Sequence, residues 1–219
     1  MHARLRATSI FLATIVLSAA SWAQQDSGFL GDNYSKLQDA QSPSGAKVKR
    51  WLAPGFAPGQ YDSVMLEKTV LYPEAQGTDQ VSAATLSAIT AYLDEALRRE
   101  LAEVVKLTDQ PGPTTLRIKP AITAAASENK DLKAYQLIPV ALVFTMAKRA
   151  AGAGAKQAAL SVEFEVRDGG TNEVVGVGVR QGTQAIDNPA GGVTVETVKP
   201  AIDAWAKDAK MFFEAKPGK

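Results

Sequence analysis

The stretch LSVEFEVRDGGTNEVVGVGVR, residues 160–180, decides the fold of this 219-residue chain. Residues 160–166 alternate large apolar side chains with Ser and Glu, and residues 174–180 alternate valines with Gly176, Gly178 and Arg180. A period of two residues is typical of a strand with one buried face. The intervening residues, RDGGTNE, are strong turn formers. The stretch therefore predicts a β-hairpin.

Two upstream segments also predict strands. YDSVMLEKTVLY (61–72) is rich in β-branched residues, alternates in polarity and is followed by Pro73. TTLRIKPAIT (114–123) alternates apolar residues with Arg117 and Lys119. Its Pro120 has no amide proton, which predicts a sheet edge or a bulge.

Two segments predict amphipathic helices. Apolar residues recur every three or four positions across 79–107, and again across 198–215, where Pro200 is expected in the first turn. A denser apolar run at 137–144 predicts a short buried helix beginning near Pro139, with a strand as the alternative.

These elements predict the fold class. Each strand carries one apolar face and each helix one apolar stripe, and all are buried if both helices cover one face of a mostly antiparallel sheet. The sequence thus predicts an α+β two-layer sandwich as a single domain over 61–215, with a disordered tail at 216–219.

The first 23 residues predict a secretory signal peptide. Arg4 and Arg6 precede an apolar run from residue 7 to residue 20, and small residues stand at Ser21 and Ala23. The run is shorter than the roughly 20 residues that span a bilayer, so a retained anchor is the weaker alternative. We expect cleavage after Ala23, which leaves Gln24 as the mature N-terminus.

Residues 24–60 predict an extended N-terminal arm. The segment is rich in Gly, Pro, Ser and Gln, and its large apolar residues, such as Phe29, Tyr34 and Trp51, are widely spaced. We expect part of the arm to pack on the domain, and a disordered linker is the alternative.

The composition excludes much familiar chemistry. The chain has no Cys, and its one His, His2, leaves with the signal peptide. Disulfides, thiol nucleophiles and Ser-His-Asp triads are therefore excluded, and we expect no metal and no cofactor. Loss of Arg4 and Arg6 leaves 22 of the 24 basic residues against 23 acidic ones, so no global field favours nucleic acid.

Three patterns could carry chemistry but each has a simpler explanation. Ser44–Lys47 and Ser127–Lys130 match S-x-x-K, yet neither opens a convincing buried helix. Glu163 and Glu165 share one face of a strand, as in some glycosidases, but alternation places both on the polar face. The glycines at 152–154 and 176–178 lack the third Gly of a dinucleotide loop.

The alternation also predicts a polar sheet face opposite the helices. We expect this face to be solvated, a surface and not a pocket, and an inert face is the simpler interpretation. If the protein works by binding, this face and the edge strands are the places where a partner could dock. Its predicted members are Glu67, Thr69, Arg117, Lys119, Glu163, Glu165, Arg167 and Arg180.

Four segments, in this order, resemble a bacterial envelope family known as domain of unknown function 3313. They are SGFLGDNYSKL (27–37), WLAPG (51–55), YDSVMLEKTVLY (61–72) and VEFEVRDGGTNEVVG (162–176), and the predicted helix that contains Trp205 follows them. Members are mostly described as lipoproteins without an established activity, so the resemblance implies a location and not a chemistry. Lipid attachment is not implied here, because it needs a Cys.

The sequence therefore predicts an exported protein, periplasmic or secreted, soluble after processing and without a transmembrane anchor. We expect a non-catalytic binding or assembly-support module whose partner is an envelope protein or a cell-wall component, with no nucleic acid involved. A periplasmic hydrolase using carboxylates or a Ser/Lys pair is one alternative, and it predicts an inward-facing polar cluster in a cleft. A small-ligand carrier is the other, and it predicts a closed apolar cavity.

Overall fold

The computed structural model of the chain describes residues 26–74, 81–123, 142–146, 156–185 and 194–215. The predictions for the signal peptide, including Ser21, Ala23 and Gln24, for Ser127–Lys130 and for the tail at 216–219 lie outside these residues.

The strands of the described residues form one nine-stranded sheet. They are β1 (Gln38–Gln41), β2 (Lys47–Leu52), β3 (Ser63–Leu66), β4 (Val70–Tyr72), β5 (Lys106–Leu107), β6 (Thr115–Thr123), β7 (Leu142–Met146), β8 (Lys156–Asp168) and β9 (Val174–Ala185).

The sheet is antiparallel at its centre and parallel at one side. The strand order is β1-β2-β9-β8-β6-β3-β5, and β4 and β7 pair with β6 and β8 respectively. β3 and β4 run parallel to β6, and β5 runs parallel to β3, whereas all other pairs are antiparallel. The predicted hairpin is β8–β9, and the α+β class with a mostly antiparallel sheet is confirmed.

Two long helices, α1 (Ala83–Leu101) and α2 (Val195–Glu214), pack against the sheet and each other. The Ser82 hydroxyl caps α1 by accepting the Thr85 N–H at 3.0 Å. Tyr92 of α1 donates to Asp203 of α2 at 2.9 Å, which ties the helices together. None of the described helices is long and apolar enough to cross a membrane.

The main core lies between the helices and one face of the sheet. Its fully buried members come from both helices and from β3, β6 and β8, among them Leu86, Ile89, Leu93, Leu97, Ile202, Val64, Leu116, Ile122, Leu160 and Val162. This is the two-layer packing that the sequence predicts.

The arm covers the opposite face and also extends the sheet. Leu30, 1% exposed, packs on Val177 and Val179 of β9 to form a second small core. The prediction that part of the arm packs on the domain is therefore confirmed. β1 and β2 lie within the arm as well, and β2 pairs with β9 from Lys49 to Leu52, so the arm is an integral part of the sheet.

Three local predictions were wrong. Pro200 lies in the second turn of α2 and not in the first, because the helix begins at Val195, three residues before the predicted start. Residues 142–146 form a strand and not a helix. Their backbone N–H and C=O groups pair with residues 156–160 of β8, which would otherwise lack a partner strand on that side. Pro120 lies in β6, inside the sheet rather than at its edge. The sheet tolerates it because Pro120 stands opposite the break between β3 and β4, where the parallel ladder is interrupted.

Candidate functional site

The predicted docking face is not a plain surface, because five of its residues share one cavity of about 250 Å³ with Asn172. The cavity lies on the face of the sheet that the helices leave free. We call it the charged cleft. It is lined by Glu67, Arg117, Lys119, Glu165, Arg167 and Asn172.

Arg117 and Arg167 lie directly opposite each other on β6 and β8. Arg117 donates to Glu67 at 2.7 Å and to the side-chain oxygen of Asn172 at 2.8 Å. Its Nε atom is buried and has no hydrogen-bond partner among the residues that the structure describes. Arg167 donates to Glu165 at 2.7 Å and to the main-chain carbonyl of Asn172 at 2.8 Å.

The hairpin turn places Asn172 between the two arginines. Asn172 has a positive φ of 63°, a backbone conformation that Asn tolerates better than most residues. Asp168 holds the turn by accepting the N–H groups of Gly170 and Thr171 at 2.9 and 2.8 Å. The Thr171 N–H is the main reason that the pKa of Asp168 is lowered. Sequence analysis read this turn only as a connection and missed the role of Asn172.

Glu163 does not lie on a solvated face as predicted. It is 3% exposed, and it accepts a hydrogen bond of 2.6 Å from the Tyr34 hydroxyl of the arm. Burial, and then the hydrogen bond to Glu163, raise the pKa of Tyr34. The prediction of an uncovered face is wrong here because the arm folds over this part of β8.

Arg180 and Thr69 lie elsewhere than predicted. The Arg180 side chain, 11% exposed, forms an ion pair with Asp208 of α2 on the helix side of the sheet. Thr69 donates its N–H and its hydroxyl to Asp94 of α1, at 2.9 and 2.6 Å. Arg180 lies on the helix side because successive residues of β9 point to opposite faces of the sheet. Val177 and Val179 face the arm, so residues 178 and 180 face the helices.

Asp208 is held by the arm as well as by Arg180. The N–H and hydroxyl of Ser44 donate to its two carboxylate oxygens at 2.9 and 3.0 Å. Burial would raise the pKa of Asp208, but the hydrogen bonds from Ser44 and Ser42 and the Arg180 guanidinium outweigh it, so the pKa is lowered. Ser44 of the Ser44–Lys47 motif thus has a structural partner. Among the described residues, no group of three or more His, Cys, Asp or Glu could hold a metal ion.

A second cavity, of about 170 Å³, lies on the helix side of the sheet, and its lining is almost entirely carbon. We call it the apolar groove. Sequence reasoning could not find it, because its walls come from elements far apart in the chain. They include Val48, Arg50, Leu52, Phe56, Phe164, Val166, Gly178, Trp205, Phe212 and Phe213.

Residues 25–209, which include every residue of the charged cleft and the walls of the apolar groove except Phe212 and Phe213, match the family described as "Protein of unknown function (DUF3313)". The chain belongs to this family. The resemblance found in the sequence is thereby confirmed. A curated relative, an uncharacterized lipoprotein named YdcL from Escherichia coli K12, is 34% identical over 187 residues, which cover 85% of this chain and 84% of the relative.

Solved structures show a distant overall likeness. PelC of Paraburkholderia phytofirmans, crystallised as a dodecamer, is 13% identical, covers 74% of this chain and 96% of its own length, and has a TM-score of 0.38. A Xanthomonas campestris protein of the DUF330 family is 10% identical, covers 69% of this chain and 85% of its own length, and has a TM-score of 0.40.

Proposed function

We propose that this DUF3313 protein is a non-catalytic binding module of the cell envelope and that the charged cleft docks an anionic group of its partner. The partner is an envelope protein or a cell-wall component that carries a carboxylate or a phosphate. One observation carries this proposal. Arg117 and Arg167 stand at directly opposite positions on β6 and β8, inside a cleft that also contains Lys119.

The charges of the cleft favour an anion. Like charges directly opposite each other on neighbouring strands destabilise a sheet. Three cationic residues line the cleft against two carboxylates. Among the described residues Lys119 forms no ion pair, and its ammonium lies 5.5 Å from the Phe29 ring. An incoming anion would be attracted to Lys119, whose charge no described carboxylate neutralises.

The engagement of the candidate catalytic groups supports a non-catalytic role. Glu163 is buried beneath Tyr34, and Glu165 is paired with Arg167, so neither carboxylate is free for the acid and base roles of a glycosidase. Ser44 donates to Asp208, a carboxylate that is buried and already paired with Arg180. A hydrolase would need groups that remain available to a substrate.

The proposed location follows the signal sequence and the relative. A lipoprotein is among the curated relatives, which supports the cell envelope. This chain has no Cys to carry the lipid, so we propose a protein that is soluble in the periplasm after cleavage behind Ala23.

Charge variants of the cleft test the docking proposal. The processed wild-type chain is immobilised and used to capture partners from periplasmic extract, which mass spectrometry identifies. Lys119→Glu is the test variant, because this ammonium makes no described ion pair, and Lys207→Glu on the exposed side of α2 is the matched control. We expect Lys119→Glu to lose the captured partner and Lys207→Glu to retain it, with both variants folded by circular dichroism.

The salt dependence of partner capture gives the same test a second readout. An anionic group held by exposed cations should be released as NaCl is raised above physiological ionic strength. Capture that is insensitive to Lys119→Glu and to salt would contradict the proposal.

A further inference from the structure

We propose that the apolar groove binds a single-chain amphiphile, with its hydrocarbon part over Gly178 and an anionic head group, a carboxylate or a phosphate, at Arg50. This is a second site, on the opposite face of the sheet from the charged cleft, and it does not depend on the docking proposal.

The groove lies where the helix layer ends and the sheet continues. β2 and β9 form its floor with Leu52, Arg50 and Gly178, while Phe212 and Trp205 of α2 form part of its wall. Residues of α1, β6 and β8 also line the groove, so it lies at the margin of the main core, where the sheet continues toward β9 and β2. An apolar cleft with few polar groups at its margin is the usual form of a small-molecule site.

Gly178 leaves space that the protein does not fill. A Cβ built there would meet, within 4 Å among the described residues, only the Lys49 carbonyl oxygen, at 3.7 Å. The neighbouring glycines behave differently, because a Cβ on Gly176 or Gly182 would lie 3.1 or 3.0 Å from Leu52 or Trp205. Glycine inside a strand often marks the close approach of a ligand or another chain. Close packing within the protein therefore explains why positions 176 and 182 are glycine, but it does not explain why position 178 is.

The charges around the groove select the head group. Arg180 is neutralised by Asp208, and this pair closes the end of the groove beside the β1–β2 turn. Arg50 forms no ion pair within the described part of the chain, and its half-buried guanidinium lies 5.3 Å from the Phe212 ring. Arg50 therefore places an uncompensated positive charge beside an aromatic wall of the groove, which complements the anionic head group of an amphiphile.

The volume of the groove suggests the size of the ligand. An engineered cavity of about 150 Å³ lined by apolar side chains binds benzene. A groove of about 170 Å³ suits one short hydrocarbon segment. Octanoate is therefore the probe, and 1-octanol is the matched uncharged compound.

Titration calorimetry on the processed chain tests the apolar part first. On the unmodified protein, hexanoate, octanoate and decanoate should bind about fourfold more tightly for each methylene that enters the groove, until it is full. Gly178→Leu should abolish octanoate binding, whereas Ala204→Leu, which adds the same side chain to the exposed side of α2, should not. A flat chain-length series contradicts the proposal even if Gly178→Leu fails to fold.

The head group is tested with Arg50→Met. We expect octanoate to bind about tenfold more weakly to this variant, with 1-octanol unaffected, since a hydrogen bond to a charged group is lost. Equal octanoate binding by Arg50→Met and the wild type would overturn the assignment of the head group.

Lys119→Gln, in the charged cleft, should leave octanoate binding unchanged. Loss of octanoate binding in that variant, with no effect of Gly178→Leu, would place the anion in the cleft and overturn this proposal. Analytical ultracentrifugation could also overturn this proposal. A dimeric wild type and a monomeric Gly178→Leu variant would show that a second copy of the chain fills the groove.

Discussion

Both faces of the sheet contain a buried carboxylate whose partner comes from the arm. Tyr34 donates to Glu163 on the face opposite the helices, and Ser44 donates to Asp208 on the helix face. Each carboxylate is at most 4% exposed, and a buried charge without a partner is costly. Single side chains of the arm therefore fix its position on the two faces of the sheet.

Tyr34→Phe should lower the free energy of unfolding by about 1–3 kcal/mol, because it leaves the buried Glu163 without its donor. Urea denaturation followed by circular dichroism measures this. Tyr72→Phe is the control, since Tyr72 is 39% exposed and should lose almost nothing. Equal stability of the two variants would show that Glu163 does not need the arm.

Asp208→Ala should be more costly, at about 3–5 kcal/mol near neutral pH, since it leaves Arg180 buried without its partner. Asp109→Ala, at an exposed position, is the control. The pKa of Asp208 is lowered in the folded state, so its contribution is present above the unfolded pKa of about 3.9 and is lost as the pH falls through the lower folded pKa. The difference between wild type and Asp208→Ala should therefore shrink below about pH 4, and a difference that grows on acidification would contradict the ion pair.

At the scale of elements, the alternation in residues 160–180 predicts the hairpin but not which face of each strand meets the helices. In β9 both phases are plausible, since valines alternate with Gly176, Gly178 and Arg180. Apolar packing alone favours the valines toward the helices. The structure has the other phase, because Leu30 of the arm buries Val177 and Val179, while Trp205 packs closely against Gly182.

The charged cleft was easier to predict than the apolar groove, because its residues follow a local pattern in the sequence. Glu67, Arg117, Lys119, Glu165 and Arg167 follow a period of two on strands that the sequence reveals. The walls of the groove include Phe56, Gly178 and Phe212, which meet only through tertiary packing. β1 and β2 were also missed, because they are short, polar and have a half-exposed or exposed pattern along most of their length.

A substitution at Leu30 tests whether the arm contributes to the stability of the folded domain. Leu30→Ala should lower the free energy of unfolding by about 2–5 kcal/mol, the range found for removing a fully buried leucine. Leu37→Ala is the control, since Leu37 is only partly buried at the margin of the same small core. A melting curve unchanged by Leu30→Ala would make residues 27–37 a linker.

The whole molecule presents two different cavities, each proposed as a binding surface, on opposite faces of one sheet. Arg117, Lys119 and Arg167 give the charged cleft its positive charge, while the groove is apolar with Arg50 at its side. Processing would place both surfaces in the periplasm. This arrangement suits a protein that holds an envelope partner on one face and an amphiphile on the other.

Processing has a direct test at this scale. Cells that express the full chain should release it by osmotic shock, with Gln24 as the N-terminus by intact-mass measurement, because Ser21 and Ala23 supply the small residues that cleavage needs. A mass that retains Met1, or one that includes a diacylglycerol group, would contradict a soluble periplasmic protein.

Site-specific photocrosslinking in living cells tests the central claim, that the charged cleft docks a partner, most directly. A photoreactive residue replaces Glu173, which is exposed beside the cleft, and in a matched strain it replaces Lys207 on the helix layer. We predict one defined crosslinked product from position 173, lost when Lys119→Glu is added, and no such product from position 207. A product from position 207 alone, or one from position 173 that Lys119→Glu does not affect, would contradict the account.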